Sequence, residues 1–231
     1  MGTSAASRGF LIMKRFMMQM MRTMVTVIVV GTMALMIFSL RGELAEAKAK
    51  ATAAKSAEPG LFETIAARTS IRKFDPSKPV SGADIEKILK AGMCAPSAMD
   101  RRPWEFIVVR DKAKLAALGS RLPYSRCGNG AQAAIVVCGN LDNGLPGRGK
   151  EYWIHDCSAA TMNILLAAKG LGLGAVWTGV YPGEDRVAVV REVLAIPEGY
   201  APLNVIPLGY PAENPTPKDK WNPAKVHHGT W

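Results

Sequence analysis

Residues 152–179 read YWIHDCSAATMNILLAAKGLGLGAVWTG, and this stretch decides the fold. Over 152–169 apolar and small residues come round nearly every face, among them Ile154, Ala159, Met162, Ile164, Leu165, Leu166 and Ala167. That pattern predicts a helix buried on more than one side, at the centre of a domain or at a subunit contact. Gly170, Gly172 and Gly174 then end it, and residues 175–180 predict a strand. Upstream, residues 133–139 (AAIVVCG) form an unbroken apolar run, the mark of a strand covered on both faces. Residues 104–109 (WEFIVV) and 203–209 (LNVIPLG) add two more strands. Helices are expected over 61–68, 112–118 and 184–194. Another follows Ser81, where Ser-Gly-Ala-Asp makes a capping-box-like start and Ile85, Ile88, Leu89 and Met93 share one face. Strands and helices thus alternate, without an internal repeat, in a length that suits one sizeable domain.

The composition narrows the class. With 48% hydrophobic and 21% charged residues, the 231-residue chain is not disordered as a whole. Four Cys are too few for a disulfide scaffold. Three His, with no CxxC and no HExxH, argue against a structural zinc site or a zinc hydrolase. Nine of the 12 Met fall in the first 36 residues. There, Arg8, Lys14, Arg15 and Arg22 precede the uncharged run 24–40, MVTVIVVGTMALMIFSL, and small residues follow at Ala45 and Ala47. Residues 1–47 therefore read as a signal peptide or an N-terminal membrane anchor. The domain would be exported or anchored, with residues 24–40 touching the membrane in the second case. Residues 48–59, Ala/Lys/Glu-rich, read as a linker, and the folded domain as 60–231. Five of the 29 Lys+Arg and two of the 19 Asp+Glu precede residue 48, so the formal charge of +10 falls to +7 beyond it. No basic helix with interleaved aromatics is present, so these charges read as solvated surface rather than a nucleic-acid site.

Four clusters carry chemistry. Arg68-Thr-Ser-Ile-Arg-Lys-Phe74 offers guanidiniums, hydroxyls and an ammonium, a set suited to phosphate. Ala95-Pro-Ser-Ala-Met-Asp-Arg-Arg-Pro-Trp104 brings small residues and two prolines to a helix end, where backbone can approach a flat ligand. Gly172-Leu-Gly-Ala-Val-Trp-Thr-Gly179 enters a strand from a helix, the reverse of a Rossmann glycine motif. A strand end at Thr178-Gly179 can present N–H groups to a ring. Past Pro207-Leu-Gly-Tyr-Pro-Ala-Glu213, two lysines (Lys218 and Lys220) lie in a tail whose Trp221 and Trp231 argue that it is laid across a partner.

In this order and spacing the clusters resemble the nitroreductase family of flavoproteins. The matching stretches are IAARTSIRKF, ILKAGMCAPSAMDRRPWEFIVV, DCSAATMNILLAAKGLGLGAVWTG, IPLGYPAE and KDKWNPAKVH, which together span about residues 61–231. The resemblance implies an α+β fold with a central mixed β-sheet flanked by helices, in an intertwined homodimer that binds FMN at each subunit interface. It implies that Arg68, Thr69, Ser70 and Arg72 hold the phosphate, ribityl chain and pyrimidine edge. Pro96, Ser97, Ala98 and Asp100 would come from the other subunit against the ring. Trp177, Thr178 and Gly179 would face the ring near N5, and Lys218 and Lys220 would reach the phosphate. No side chain is expected to act as acid or base, and His155 is expected to be structural.

The implied reaction is a ping-pong exchange. A hydride from NADH or NADPH reaches flavin N5, and the electrons pass on to a nitroaromatic, quinone or similar small aromatic acceptor. The alternatives are a tethered or exported flavin-binding electron carrier, and a flavin-fragmenting or dehalogenating enzyme, which would need a longer lid than this chain offers. Export would also separate the domain from the nicotinamide pool. Asp100 and Arg102 stand where similar members usually carry Asn and Gln. A carboxylate there would lower the flavin potential unless Arg101 or Arg102 neutralises it. Of the cysteines, Cys94, Cys138 and Cys157 are expected to be buried and Cys127 exposed; a disulfide pairing is not readable.

Overall fold

The computed structural model describes residues 17–22, 24, 30–33, 35–46, 48 and 60–231. The linker expected over 48–59 (residue 48 apart) and residues 25–29 and 34 of the apolar run lie outside the described residues. The chain divides into two units, Met1–Glu58 and Pro59–Trp231. The described residues of the first unit are helical, and Leu35, Met36 and Phe38 are exposed. Among the described residues no helix is long and apolar enough to cross a membrane.

The second unit runs α1 (Leu61–Ala67), α2 (Gly82–Met93), β1 (Trp104–Val109), α3 (Lys112–Arg121), β2 (Ala133–Asn140), α4 (Tyr152–Gly170), β3 (Gly174–Ala175), β4 (Thr178–Gly179), α5 (Glu184–Leu194) and β5 (Tyr200–Gly209). The sheet order is β1-β2-β5-β3, with β4 also on β5. This is the α+β arrangement of a central sheet flanked by helices. Within these five strands every ladder is antiparallel rather than mixed.

The unbroken apolar run of β2 explains the layering. Ala133, Ile135 and Val137 face one core, built with Ile85 and Ile88 of α2 and Trp153, Cys157, Ala160 and Ile164 of α4. Ala134, Val136 and Cys138 face the other, built with Leu115 and Leu118 of α3 and Val190 of α5. A strand between two apolar layers has no polar face to keep, so alternation disappears from its sequence. A bulge after Val137 shifts the pairing with β5 and accommodates Pro202 there. Pro207 needs a different accommodation. Extending the β3 and β4 registers places it opposite Val176, in the gap between the two short strands. The strand expected over 175–180 is therefore split where β5 has no N–H to offer.

Helix starts follow their caps. The Ser81 hydroxyl accepts from the Asp84 N–H at 3.0 Å, and the Asp111 carboxylate from the Lys114 N–H at 2.8 Å. One polar link crosses the first core: the Asn204 amide donates to Thr161 Oγ1 at 2.9 Å, and that hydroxyl donates to the Cys157 carbonyl at 2.7 Å.

Two expectations are corrected. Within one chain α4 is buried on one side only. Tyr152, His155 and Met162 are exposed, with Ala159 and Leu166 half-buried between them, a stripe at helical spacing. The second correction concerns the thiols. Cys94 is exposed, because it caps α2 beyond the face that carries Ile85, Ile88 and Gly92. Cys127 is buried, because its glycine-rich loop packs against α3: a Cβ on Gly119 would lie 2.6 Å from the Gly128 nitrogen. All four cysteines are free. Burial pushes the Cys127 thiol up, raises Cys138 to about 12, and raises Cys157 further, with Asp156 adding to the effect. A thiol reagent at neutral pH should therefore label one thiol per native chain quickly, and Cys94→Ser should remove that phase. Fast labelling of Cys138 or Cys157 in mapped peptides would contradict the burial.

Candidate functional site

The site is laced together by the segment after α1. Arg68 ends that helix with extended backbone (φ −66°, ψ 119°), which sends the chain across the sheet edge. Ile71 N–H donates to the Ala175 carbonyl at 3.0 Å. Phe74 bridges to Pro211, and the Ala212 N–H donates to the Lys73 carbonyl at 3.0 Å. The Glu213 carboxylate receives the N–H groups of both Arg72 and Lys73. The first and fourth clusters, about 140 residues apart, are thereby fixed side by side. From below, Asn129 accepts from the Phe74 N–H at 3.0 Å and donates its amide to the Arg72 carbonyl at 3.1 Å.

A cavity of about 800 Å³ opens between these segments. Arg68, Thr69, Ser70 and Arg72 line one side, and Lys218 and Lys220 the other, with Asp219 the one acid among the lining residues. Four cations and three hydroxyls, that of Thr216 included, around one concavity suit a dianionic phosphate. Arg72 also lines a second cavity of about 270 Å³, whose wall includes Trp177, Thr178 and Gly179. Three of the four clusters thus meet around Arg72.

The second cluster stands apart. Pro96, Ser97, Ala98 and Asp100 form the turn after α2 and line neither cavity. The turn is strained: Met99, Asp100 and Arg102 have φ of 54°, 53° and 49°. It is held at three points. The Ala98 N–H donates to the buried Asp156 carboxylate at 2.9 Å, the Arg102 N–H to Ser97 Oγ at 2.9 Å, and the Asn143 amide to the Arg101 carbonyl at 2.6 Å. Arg102 grips Asp100 through both nitrogens, Nε to Oδ1 at 2.7 Å and Nη2 to Oδ2. That pairing holds the Asp100 carboxyl below the usual carboxylate range. Of the two arginines expected to neutralise Asp100, Arg102 is the one that pairs with it.

The sequence matches the model of the nitroreductase family over residues 65–123 and 120–210. It is 48% identical over 179 residues to a "Putative NADH dehydrogenase/NAD(P)H nitroreductase" of Methanothermobacter thermautotrophicus, covering 77% of this chain and 91% of that one. The chain belongs to the nitroreductase family. A crystal structure of a like-named protein from Parabacteroides distasonis superposes with a TM-score of 0.70 at 47% identity, over 75% of this chain and 100% of that one. An FMN-dependent nitroreductase from Clostridium difficile superposes with a TM-score of 0.66 at 32% identity, over 73% and 98%.

Asn129 lies outside the four clusters, while Glu213 and Asp156 lie in matching stretches without a role readable there; all three act by holding backbone, and only the fold brings them to their targets. Tyr124, Arg126 and Arg186 line the smaller cavity from loops and a helix 50 residues or more from the first cluster.

Proposed function

We propose that this protein is an FMN-dependent oxidoreductase that passes two electrons from NADH or NADPH to a small aromatic acceptor. The observation that carries this reading is the convergence of Arg68, Thr69, Ser70 and Arg72 with Lys218 and Lys220 on one cavity of flavin-phosphate chemistry. Arg68 is half-buried, so its planar guanidinium has less freedom to lose when it gives a bidentate pair. Thr69 and Ser70 fill remaining acceptor positions, while Lys218 and Lys220 close the charge from the tail. Arg72 is shared between the cavities, so it would sit at the pyrimidine edge, and Trp177, Thr178 and Gly179 would border the ring near N5. Bound there, FMN would supply two-electron chemistry at N5, in a ping-pong exchange from the nicotinamide donor to a nitroaromatic, quinone or related acceptor.

The same reading makes the unit that works a homodimer. Three features support it: the stripe on α4 with Tyr152 and Met162 exposed and Leu166 half-buried, the exposed Trp221 (73%) and Trp231 (100%) of the tail, and the Pro96–Asp100 turn, which lines neither of these cavities of its own chain. In the dimer that turn would lie against the partner's flavin. For residues 1–47 we keep the proposal of an export signal or anchor, supported by the basic residues before an uncharged run. Fractionation of cells expressing the full chain tests it; a wholly cytosolic protein with an intact N-terminus overturns it.

The purified full chain should be yellow, and anaerobic titration with NADH or NADPH should bleach it with one equivalent per flavin. A flavin-loaded protein that neither nucleotide reduces would contradict the donor assignment.

A further inference from the structure

We propose that the smaller cavity is an anion subsite for the substrate, so that the preferred acceptor or donor carries a carboxylate or phosphate beside its reacting ring. This rests on the function proposed above. The cavity, about 270 Å³, is lined by three guanidiniums, Arg72, Arg126 and Arg186, and by no carboxylate. Among the described residues none of the three is in a salt bridge. Two buried polar atoms of its lining residues have no hydrogen-bond partner: Arg126 Nε and the hydroxyl of Thr178, a residue only 5% exposed. Three like charges around one concavity repel unless an anion sits between them.

The position gives the subsite its meaning. Trp177, Thr178 and Gly179 form one wall, and Arg186 Nη1 donates to the Gly179 carbonyl at 3.1 Å. Arg186 thus holds the strand end that would border the ring, while its remaining donors stay available. A flavin phosphate has its own cations at Arg68, Lys218 and Lys220, in the larger cavity. An anion at Arg126 and Arg186 therefore belongs to a second molecule, stacked by the ring. The charges also suit the guanidinium geometry: each fork can take two oxygens of one carboxylate or phosphate.

Titration of the FMN-loaded full chain with benzoate, benzamide and inorganic phosphate, followed by the flavin absorbance band and by calorimetry, tests this. Benzoate should bind about tenfold or more tightly than its uncharged amide, and its affinity should fall with salt. Arg126→Gln should lower benzoate affinity about tenfold and leave benzamide little changed; Arg186→Gln should lower benzoate affinity at least as much, with some loss for benzamide because Arg186 also holds the Gly179 carbonyl. Arg126→Lys should restore part of the loss, which a merely misfolded variant would not do. In turnover, 4-nitrobenzoate should beat 4-nitrobenzamide in kcat/KM, and the ratio should collapse in the Gln variants. If phosphate competes with benzoate, the anion of a nucleotide donor uses the same subsite; if it does not, the site is for carboxylates. Equal affinity for benzoate and benzamide in a yellow, reducible protein would overturn the subsite alone. A colourless protein that refuses FMN would instead overturn the function it rests on.

Discussion

Arg68→Ala is expected to weaken FMN binding by roughly 10- to 100-fold, the worth of one bidentate charge-assisted pair to phosphate. Riboflavin, which lacks the phosphate, should bind the variant and the parent alike. The reason is positional. Arg68 is the half-buried cation of the larger cavity. Lys218 and Lys220 are exposed on the tail, lose more side-chain freedom on binding and are screened by solvent. Each lysine should therefore matter less than Arg68. Fluorescence titration of the apo-protein with both flavins measures this directly, and an equal loss for FMN and riboflavin would show that Arg68 acts on the fold rather than on the phosphate.

Gly130→Ala should be the most damaging small substitution. Gly130 has φ of +86°, and a Cβ there would lie 2.3 Å from the Phe74 carbonyl oxygen. Both a left-handed backbone and a collision with main chain oppose any side chain. The combined cost is about 3 kcal/mol or more, which corresponds to a fall of roughly 10 °C in Tm for a domain of this size. The damage is also local to function. The Asn129 contacts to Phe74 and Arg72 run through this loop, so the segment that carries Arg68 to Arg72 should lose its seat. Thermal unfolding with and without FMN checks it. Gly147→Ala is the control: its φ is +61°, but nothing lies within 4 Å of the added Cβ, so it should cost much less. Equal losses in the two variants would contradict the collision with Phe74.

Much of the architecture was legible because local rules and packing agree. The Ser81 cap and the unbroken run of β2 each have one low-energy reading. The cation and hydroxyl set of the larger cavity was legible in the same way, since Arg68, Thr69, Ser70 and Arg72 are neighbours in sequence and their chemistry is carried by type. Other features depend on distant partners. The split between β3 and β4 comes from Pro207 on the facing strand. The burial of Cys127 comes from backbone contact between Gly119 and Gly128, and a glycine-rich loop gives no hint of it. The strain at Met99, Asp100 and Arg102 is tolerated only because Asp156 and Asn143 tie that turn down from other elements. Arg126 and Arg186 were unreadable for the same reason: each is an ordinary surface-type residue until the fold places both beside Thr178.

The central claim is that the cations of the larger cavity grip the phosphate of a flavin. Its most direct measurement is the affinity of the apo-protein for FMN against riboflavin at two salt concentrations. The account predicts that FMN binds at least 100-fold more tightly, one per chain, and that salt erodes this advantage. Equal affinity for the two flavins, or no binding of either by well-folded protein, would contradict it.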